Sequence, residues 1–204
     1  MALIQRSYAS YDEYVDHQRA KMNDLRKYEF DRGVQDRLQN FRDRIRHAAR
    51  RLDCDGVLCL GARFGEEVIV FRELGFPRSI GVDLEPGADE SLVRRGDFHH
   101  LDFPDGAFGA LYTNAIDHVF DLASFAAETR RVLCTGGVFI LAATNAFDAP
   151  GLDKRAHVDG PTKFESLLWE READLLAPFE AGFDLVERFD STAWSESVFV
   201  LRAR

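Results

Sequence analysis

The chain has 204 residues, of which 46% are hydrophobic and 30% are charged, a composition typical of one soluble globular domain and not of a disordered chain. Its formal net charge is −9, so the surface repels nucleic-acid phosphates and no nucleic acid is expected as a partner. The first residues lack the apolar core of a signal peptide, and no apolar run approaches the ~20 residues that span a bilayer, which predicts a cytoplasmic protein with no membrane contact.

Two helices are predicted before the first strand of the main sheet. Ser10 and Glu13 form a capping box, in which the serine accepts a hydrogen bond from the first turn and the glutamate reaches back, so a helix follows. The second helix is predicted from an apolar stripe with mostly three- and four-residue steps, formed by Val34, Leu38, Phe41, Ile45 and Leu52. These helices either form a lid over the ligand of the sheet or only pack on the sheet, and the sequence leaves both readings open.

From residue 57 onward, buried strands alternate with helices. The predicted order is a strand over Val57–Leu60, a helix over Glu66–Leu74, strands over Ser79–Asp83 and Gly109–Thr113, a helix from Asp121 to Leu133, and a strand over Val138–Ala142. A second capping box predicts a helix from Thr162–Glu165 through Trp169, and final strands are predicted near Phe183–Leu185 and Ser197–Leu201. The pattern predicts an α/β fold: a Rossmann-like doubly wound sheet, mainly parallel with an antiparallel edge strand, and helices on both faces.

The turn after the first buried strand of this sheet is the first candidate binding element. Gly61 and Gly65 have no Cβ, so the backbone between them can pass close to a ligand, although a merely tight turn also explains them. The turn is not the GxGxxG of dinucleotide enzymes, because Arg63–Phe64 occupies its interior. The acids Glu66–Glu67 at the helix start repel a pyrophosphate, and a cationic ligand tolerates them better.

Two further strand ends carry acids that suit a nucleoside. Asp83 ends the second strand, where a carboxylate accepts hydrogen bonds from both hydroxyls of a ribose; a helix cap or a surface carboxylate is the alternative. Asp97 stands beside Phe98, and such a pair can accept from an adenine amino group while the ring region packs on the base. Strong turn chemistry at Pro104–Gly106 follows, before the next strand.

These segments together resemble a known family. The stretch from about Gly56 to Ala143 contains VLCLGARFGEE, IGVDLEP, GDFHHLDFPDGAFGALYTNAIDHV and RRVLCTGGVFIL, and it resembles the class I S-adenosylmethionine-dependent methyltransferases, in particular the small type 11 group. The resemblance implies S-adenosyl-L-methionine as the cofactor, with the glycine-rich turn at its methionine part, the second-strand acid at its ribose and the Gly-Asp pair at its adenine. The cofactor-binding residues implied in this chain are Gly61, Ala62, Arg63, Gly65, Asp83, Leu84, Asp97, Phe98, Asn114 and Ile116.

The chain departs from the family pattern at two positions. Arg63 stands where family members usually have a third glycine, and its side chain either covers the cofactor, pairs with the cofactor carboxylate or crowds the site. Cys59–Leu60 occupies the strand end where the family commonly has an acid, so the usual contact to the cofactor ammonium is in doubt. A backbone carbonyl near Gly61 is a possible replacement.

His118 is the candidate catalytic residue, because it follows the fourth strand at the cofactor end. There it would act as general base for a hydroxyl acceptor, with Asp117 orienting the ring, or else it only lines the pocket. The basic segment at 153–157 either carries a polar acceptor or is a solvated loop, and Trp169 either walls the acceptor pocket or packs in the core. His99–His100 is interpreted as a rim or surface segment.

The cysteines Cys54, Cys59 and Cys134 form no disulfide or zinc pattern, which predicts a reducing compartment and no bound metal.

The sequence thus predicts S-adenosylmethionine-dependent methyl transfer to a small-molecule acceptor, with a hydroxyl oxygen favoured over nitrogen or carbon. The alternatives are a protein that binds S-adenosylmethionine without transferring its methyl group and a nicotinamide oxidoreductase, which the missing GxGxxG disfavours. We expect a single domain over 1–204, in which 1–52 forms the N-terminal helices, 56–143 the cofactor-binding core, and 145–204 the acceptor-side segment and terminal strands. The acceptor's identity and the oligomeric state do not follow from the sequence.

Overall fold

The computed structural model of the chain describes residues 3–28, 34–87, 89–144, 165–191 and 196–204. The strands in these ranges are β1 (Leu3–Gln5), β2 (Leu58–Leu60), β3 (Ile80–Asp83), β4 (Val93–Arg95), β5 (Phe108–Thr113), β6 (Leu133–Thr144), β7 (Leu167–Trp169), β8 (Phe183–Ser191) and β9 (Glu196–Ala203). The helices are α1 (Tyr11–Tyr28), α2 (Val34–Ala49), α3 (Glu66–Glu73), α4 (Leu122–Val132) and α5 (Glu172–Leu176), with 3-10 turns at Ile116–His118 and Ala177–Phe179.

The main sheet has seven strands in the order β4-β3-β2-β5-β6-β9-β8. The strands β2 to β6 pair in parallel, whereas β9 pairs antiparallel with both β6 and β8. The order reverses at β2, because β3 lies on one side of it and β5 on the other, and ligands of open α/β sheets bind at such a point. The predicted fold class, including the antiparallel pairing at one edge, is confirmed.

Successive residues of the central strands are buried on opposite faces of the sheet, as the two-residue period of a strand requires. Leu58, Leu60 and Phe139 belong to the core on the face covered by α4. Cys59 and Ile140 belong to the core on the face covered by α2 and α3. Helices therefore cover both faces, and the carboxyl ends of the strands are left for a site.

The start of α1 has the capping interactions that the sequence predicts. The backbone N–H of Glu13 donates to the Ser10 hydroxyl at 3.2 Å. The Glu13 carboxylate accepts from the backbone N–H of Ala9, one residue before the position that a standard capping box uses. The first four N–H groups of a helix have no intrahelical partner, and the bond to Ser10 satisfies one of them, so it favours a helix start at this point.

The second N-terminal helix packs on the sheet. Leu38, Phe41 and Ile45 of its predicted stripe are buried in the core under α2. The helix ends at Ala49, so Leu52 lies beyond it, although that side chain still packs against the same core. For α2 the packing alternative therefore applies.

The predicted helix through Trp169 is wrong. Residues Leu167–Trp169 form β7, which pairs antiparallel with β1, so that Leu3 lies opposite Trp169. The predicted cap at 162–164 lies outside the described residues. Local capping chemistry suggested a helix, but hydrogen bonds from the chain's first strand determine the conformation at β7. Trp169 is 4% exposed and packs in the core, which agrees with the core-packing alternative.

Three further observations concern the described part of the chain. No helix there is both long and apolar enough to cross a membrane. No group of three or more histidine, cysteine, aspartate or glutamate side chains in the same ranges is placed to hold a metal ion. Cys54, Cys59 and Cys134 carry free thiols.

An ion pair inside the core connects α2 to the sheet. Arg44 is fully buried and Glu196 is 3% exposed, and the Arg44 Nε lies 2.5 Å from the Glu196 Oε2. The Arg44 guanidinium also donates to Glu196 Oε1 at 2.9 Å and to the Tyr112 hydroxyl at 3.2 Å. Because neither charge reaches water, each depends on the other.

We expect Glu196→Gln to lower the free energy of unfolding by about 3 kcal/mol, because it leaves the buried Arg44 charge without its counter-charge. The double variant Arg44→Met/Glu196→Gln removes both charges and should recover part of that loss. Urea unfolding measures both effects. Arg42→Gln is the matched control, since it breaks an exposed pair with Glu73 and should change stability little. An effect of Glu196→Gln no larger than the control's would contradict the assignment.

Candidate functional site

The turn between β2 and α3 passes close to the segment that follows β5. Gly61 has a φ of +75°, and a Cβ built there would lie only 2.6 Å from the Cβ of Ala115. Gly65 has a φ of +77° and is the residue directly before α3. Both positions therefore require glycine, one for close approach and both for their left-handed backbone.

Arg63 keeps a glycine-like backbone. Its φ of +38° lies in the left-handed region, which costs a residue with a Cβ about 1–2 kcal/mol. Two hydrogen bonds hold it there: its N–H donates to Asp83 Oδ2 at 3.0 Å, and its carbonyl accepts from the N–H of Gly87 at 2.9 Å. Arg63 thus adopts a backbone conformation that glycine adopts more readily.

Asp83, at the end of β3, faces this turn. Besides the bond from Arg63, its Oδ1 accepts from the backbone N–H of Glu85 at 2.8 Å. A carboxylate has about four acceptor positions, so two backbone donors leave capacity for a ligand. The Asp83 carboxylate therefore points toward the turn between Gly61 and Gly65.

Asp97 is held by His99 and by Tyr11 of α1. Its Oδ1 accepts from the backbone N–H of His99 at 2.8 Å and from the ring Nδ1 at 3.0 Å, and its Oδ2 accepts from the Tyr11 hydroxyl. The Nε2 of His99 accepts from the Phe120 N–H at 3.1 Å, so the ring proton lies on Nδ1. Burial raises the pKa of Asp97, but the hydrogen bonds from His99 and Tyr11 outweigh burial and hold that pKa below its usual range.

His99 is 5% exposed, so its interpretation as a rim or surface residue is wrong. Its ring lies between the Asp97 carboxylate and the backbone at Phe120, and it acts as a structural bridge. His100 is exposed, as expected.

The segment after β5 brings His118 to the site. The Thr113 hydroxyl donates to the Leu60 carbonyl at 2.9 Å and accepts from the Ala115 N–H at 3.1 Å, which fixes the path of the chain beside the turn. A 3-10 turn then presents His118, whose Nε2 lies 3.7 Å from the Asp117 Oδ1. That distance is too long for a hydrogen bond but places a negative charge beside the ring.

These segments surround a cleft that opens to solvent. The residues that line it are Tyr14, Gln18, Gly61, Arg63, Asp83, Leu84, Glu85, Phe98, Ala115 and His118.

The cleft brings together part of the predicted set. The predicted site residues that line it are Gly61, Arg63, Asp83, Leu84, Phe98 and His118. The predicted site residues that are not among its lining residues are Ala62, Gly65, Asp97, Asn114 and Ile116. Contact of these five residues with a ligand stays a prediction. The basic segment at 153–157, with His157, lies outside the described residues.

The sequence left open whether α1 covers the site, and it did not single out the α1 residues that line the cleft. Tyr14 and Gln18 line the cleft from this helix, and with Tyr11 they lie on one helix face because they are three, four and seven residues apart. Their spacing was readable, but the face that a helix turns toward a site depends on docking. For α1 the lid alternative fits the structure, in contrast to α2.

Glu67, in the first turn of α3, is a buried acid next to the turn. It is 3% exposed, and burial raises the pKa of its carboxyl to about 8; the charge of Glu66 adds to this, whereas Arg63 and Arg44 oppose it. Near neutral pH this side chain is therefore largely protonated, and it adds less negative charge to the site than the sequence suggests.

This shift predicts a pH-dependent stability. Between pH 4.5 and 8 the unfolded chain has Glu67 ionised while the folded chain keeps the proton, so burial of Glu67 destabilises the protein increasingly as pH rises. The variant Glu67→Gln has no ionisable group at this position. Its free energy of unfolding, relative to that of the natural chain, should therefore rise by up to about 1.4 kcal/mol per pH unit across this window. Urea unfolding at pH 5 and pH 8 measures the difference. Glu73→Gln, at an exposed position, is the control. If the stability difference from the natural chain does not change with pH for either variant, the raised pKa of Glu67 is refuted.

The core of the chain matches a known protein family. Residues 58–141 match a family described as a methyltransferase domain. This range coincides with the stretch whose motifs resemble the class I type 11 group, so that resemblance is confirmed for the core.

Individual relatives share the fold or part of the sequence. A sterol 24-C-methyltransferase from Yarrowia lipolytica is 32% identical over 117 residues, which are 54% of this chain and 31% of that protein; the chain thus spans about a third of that relative. A chain of the complex between the Haloferax volcanii Trm112 methyltransferase activator and a protein assigned as a methyltransferase has a TM-score of 0.68 at 19% identity, over 86% of this chain and 94% of that chain. The geranyl diphosphate C-methyltransferase of Streptomyces coelicolor, crystallised with S-adenosyl-L-homocysteine, has a TM-score of 0.59 at 15% identity, over 74% and 72%. At such identities the two structures show a shared fold.

Proposed function

We propose that this protein binds S-adenosylmethionine and transfers its methyl group to a small-molecule acceptor, because residues 58–141 match a family described as a methyltransferase domain. The observation that carries the proposal is the Asp83 carboxylate, which accepts a hydrogen bond from the glycine turn and lines the same cleft as Gly61. A carboxylate at this strand end, beside a turn that contains two glycines, suits a nucleoside joined to an amino acid.

The residues of the cleft fit the two ends of such a cofactor. Asp83 would accept from the ribose hydroxyls, and Phe98 would pack beside the adenine. Gly61 lines the cleft without a side chain, so the amino-acid part can approach its backbone. Arg63 lines the same cleft, and we assign its guanidinium to the cofactor carboxylate.

When bound, S-adenosylmethionine supplies a methyl carbon that its sulfonium makes electrophilic. The protein's own task is to align the acceptor with that carbon and to exclude water. α1 covers the cleft through Tyr14 and Gln18, which supports a role of this helix in excluding water.

We assign the acceptor atom to a hydroxyl oxygen and the general base to His118. A hydroxyl is a weak nucleophile that gains from proton removal, and His118 lines the cleft with Asp117 beside its ring. A carbon acceptor is the second candidate, because two of the similar proteins are named C-methyltransferases. Both candidates are small molecules, and the net charge of −9 disfavours a nucleic acid.

The acids around the cleft disfavour a nicotinamide dinucleotide. Asp83 and Glu85 line it, and Glu66 stands at the start of the helix that follows the turn. A pyrophosphate would be repelled there, whereas a sulfonium cation would be attracted.

We expect Asp83→Asn to weaken S-adenosylmethionine binding by about 1–3 kcal/mol, because the ribose hydroxyls lose an acceptor of full charge. Isothermal calorimetry with S-adenosylmethionine, S-adenosylhomocysteine and NAD measures the affinities. Asp102→Asn, at an exposed position, is the control and should bind as the natural chain does. Binding of NAD alone would overturn the proposed function, and equal affinity of a folded Asp83→Asn would overturn the ribose assignment.

With a hydroxyl acceptor, His118→Gln should reduce kcat by about 10²–10⁴-fold, the usual contribution of a general base, while cofactor affinity stays within a few-fold. The assay follows transfer of an isotope-labelled methyl group to a panel of hydroxylated and unsaturated small molecules, with product structures from NMR. His100→Gln, an exposed histidine nearby, is the control. Methylation at carbon would refute the oxygen assignment, and unchanged turnover of His118→Gln would refute the general-base role. Cofactor binding without transfer to any panel member would favour a binding protein over an enzyme.

A further inference from the structure

The hydroxyl of Tyr14 is a buried polar group without a hydrogen-bond partner among the described residues. The side chain is fully buried, yet it forms part of the wall of the cleft. An unpaired buried hydroxyl costs about 1–3 kcal/mol and is uncommon in native proteins. Because the group lies in the wall of a cleft, a ligand bound there can supply its hydrogen-bond partner.

The neighbouring tyrosines are paired, which sets Tyr14 apart. The Tyr8 hydroxyl lies 2.7 Å from the Ser166 hydroxyl and 2.8 Å from His17 Nδ1. The Tyr11 hydroxyl donates to Asp97. These bonds attach the start of α1 to two separate parts of the domain, so the helix that carries Tyr14 is fixed from both sides.

Aromatic packing fixes the Tyr14 ring near the predicted adenine end. Its centroid lies 5.3 Å from that of Tyr11, 5.7 Å from that of His99 and 5.2 Å from that of Phe120. From this cluster, which surrounds Asp97, the side chain reaches the cleft that Asp83 also lines. Tyr14 therefore lines the same cleft as Asp83 and packs on Tyr11 and His99, the two residues that hold Asp97.

The chemistry of this end of the cleft needs a donor. Carboxylates such as Asp83 and Asp97 only accept hydrogen bonds, whereas an adenosine also presents acceptors, namely its ring nitrogens and its ribose ring oxygen. Burial, together with the neighbouring Tyr11 and Asp97, raises the pKa of the Tyr14 phenol above its ordinary value. The group is therefore a neutral hydroxyl that keeps its proton for donation.

We propose that Tyr14 is a ligand-binding residue whose hydroxyl donates a hydrogen bond to an acceptor atom of the adenosine moiety, so that α1 forms one wall of the cofactor site. This inference rests on the proposed function and adds to it a contact from outside the 58–141 core.

Tyr14→Phe removes only the hydroxyl and tests this role. In the ligand-free protein the variant should be as stable as the natural chain or more stable, because an unpaired buried hydroxyl is gone. Calorimetry should show binding of S-adenosylhomocysteine weakened about 5- to 50-fold, the range expected when a ligand acceptor loses its donor. 5′-Methylthioadenosine, which lacks the amino-acid part, should lose the same factor.

Tyr8→Phe is the matched control. It removes a paired hydroxyl that does not line the cleft, so it should lower stability and leave affinity nearly unchanged. A merely structural Tyr14 would behave like this control, and equal ligand affinity of Tyr14→Phe would overturn the inference alone. A natural chain that binds neither ligand would overturn the proposed function and this inference with it. Weaker binding of S-adenosylhomocysteine but not of methylthioadenosine would move the contact to the amino-acid part and refute the adenosine assignment.

Discussion

The Asp83 carboxylate joins the turn after β2 to the end of β3. One oxygen accepts from the backbone of Arg63 in the turn after β2, and the other accepts from the backbone of Glu85 just beyond β3. These bonds position the turn relative to the end of β3 and hold Arg63 in its left-handed conformation. The shape of the cleft depends on this arrangement, because the turn and the strand end are two of its walls.

The two N-terminal helices have different roles, which the sequence alone could not distinguish. α2 contributes apolar side chains to the core, and its buried Arg44 pairs with Glu196 of β9. α1 contributes polar and aromatic side chains to the cleft and is held by the bond from Tyr11 to Asp97. Asp97 therefore has a structural partner already, and any ligand at this carboxylate would share it with α1.

The predictions from sequence succeeded where the pattern was local and failed where the partner was distant. The buried strands ending at Leu60 and Asp83 were readable, because short apolar runs ending in glycine or an acid are typical of parallel strands. The strand Leu167–Trp169 was read as a helix, because its partner Leu3–Gln5 lies more than 160 residues earlier in the chain. The same limit applies to Tyr14: its helix was predicted, but the face of the helix toward the cleft depends on tertiary docking.

The charges around the cleft explain how a fold shared with dinucleotide-binding proteins can favour a different ligand. A helix start after a glycine turn usually attracts phosphate through its free N–H groups and dipole. In this chain Glu66 occupies that position and pairs with Arg37 at 2.8 Å, so an anion is already present where a phosphate would bind. Glu67 keeps its proton near neutral pH and so adds little repulsion toward an amino-acid carboxylate, for which Arg63 supplies a cation in the cleft wall. The cleft therefore combines acids suited to a sulfonium and sugar hydroxyls with one basic side chain suited to a carboxylate, and this combination matches a zwitterionic amino-acid nucleoside better than a dinucleotide.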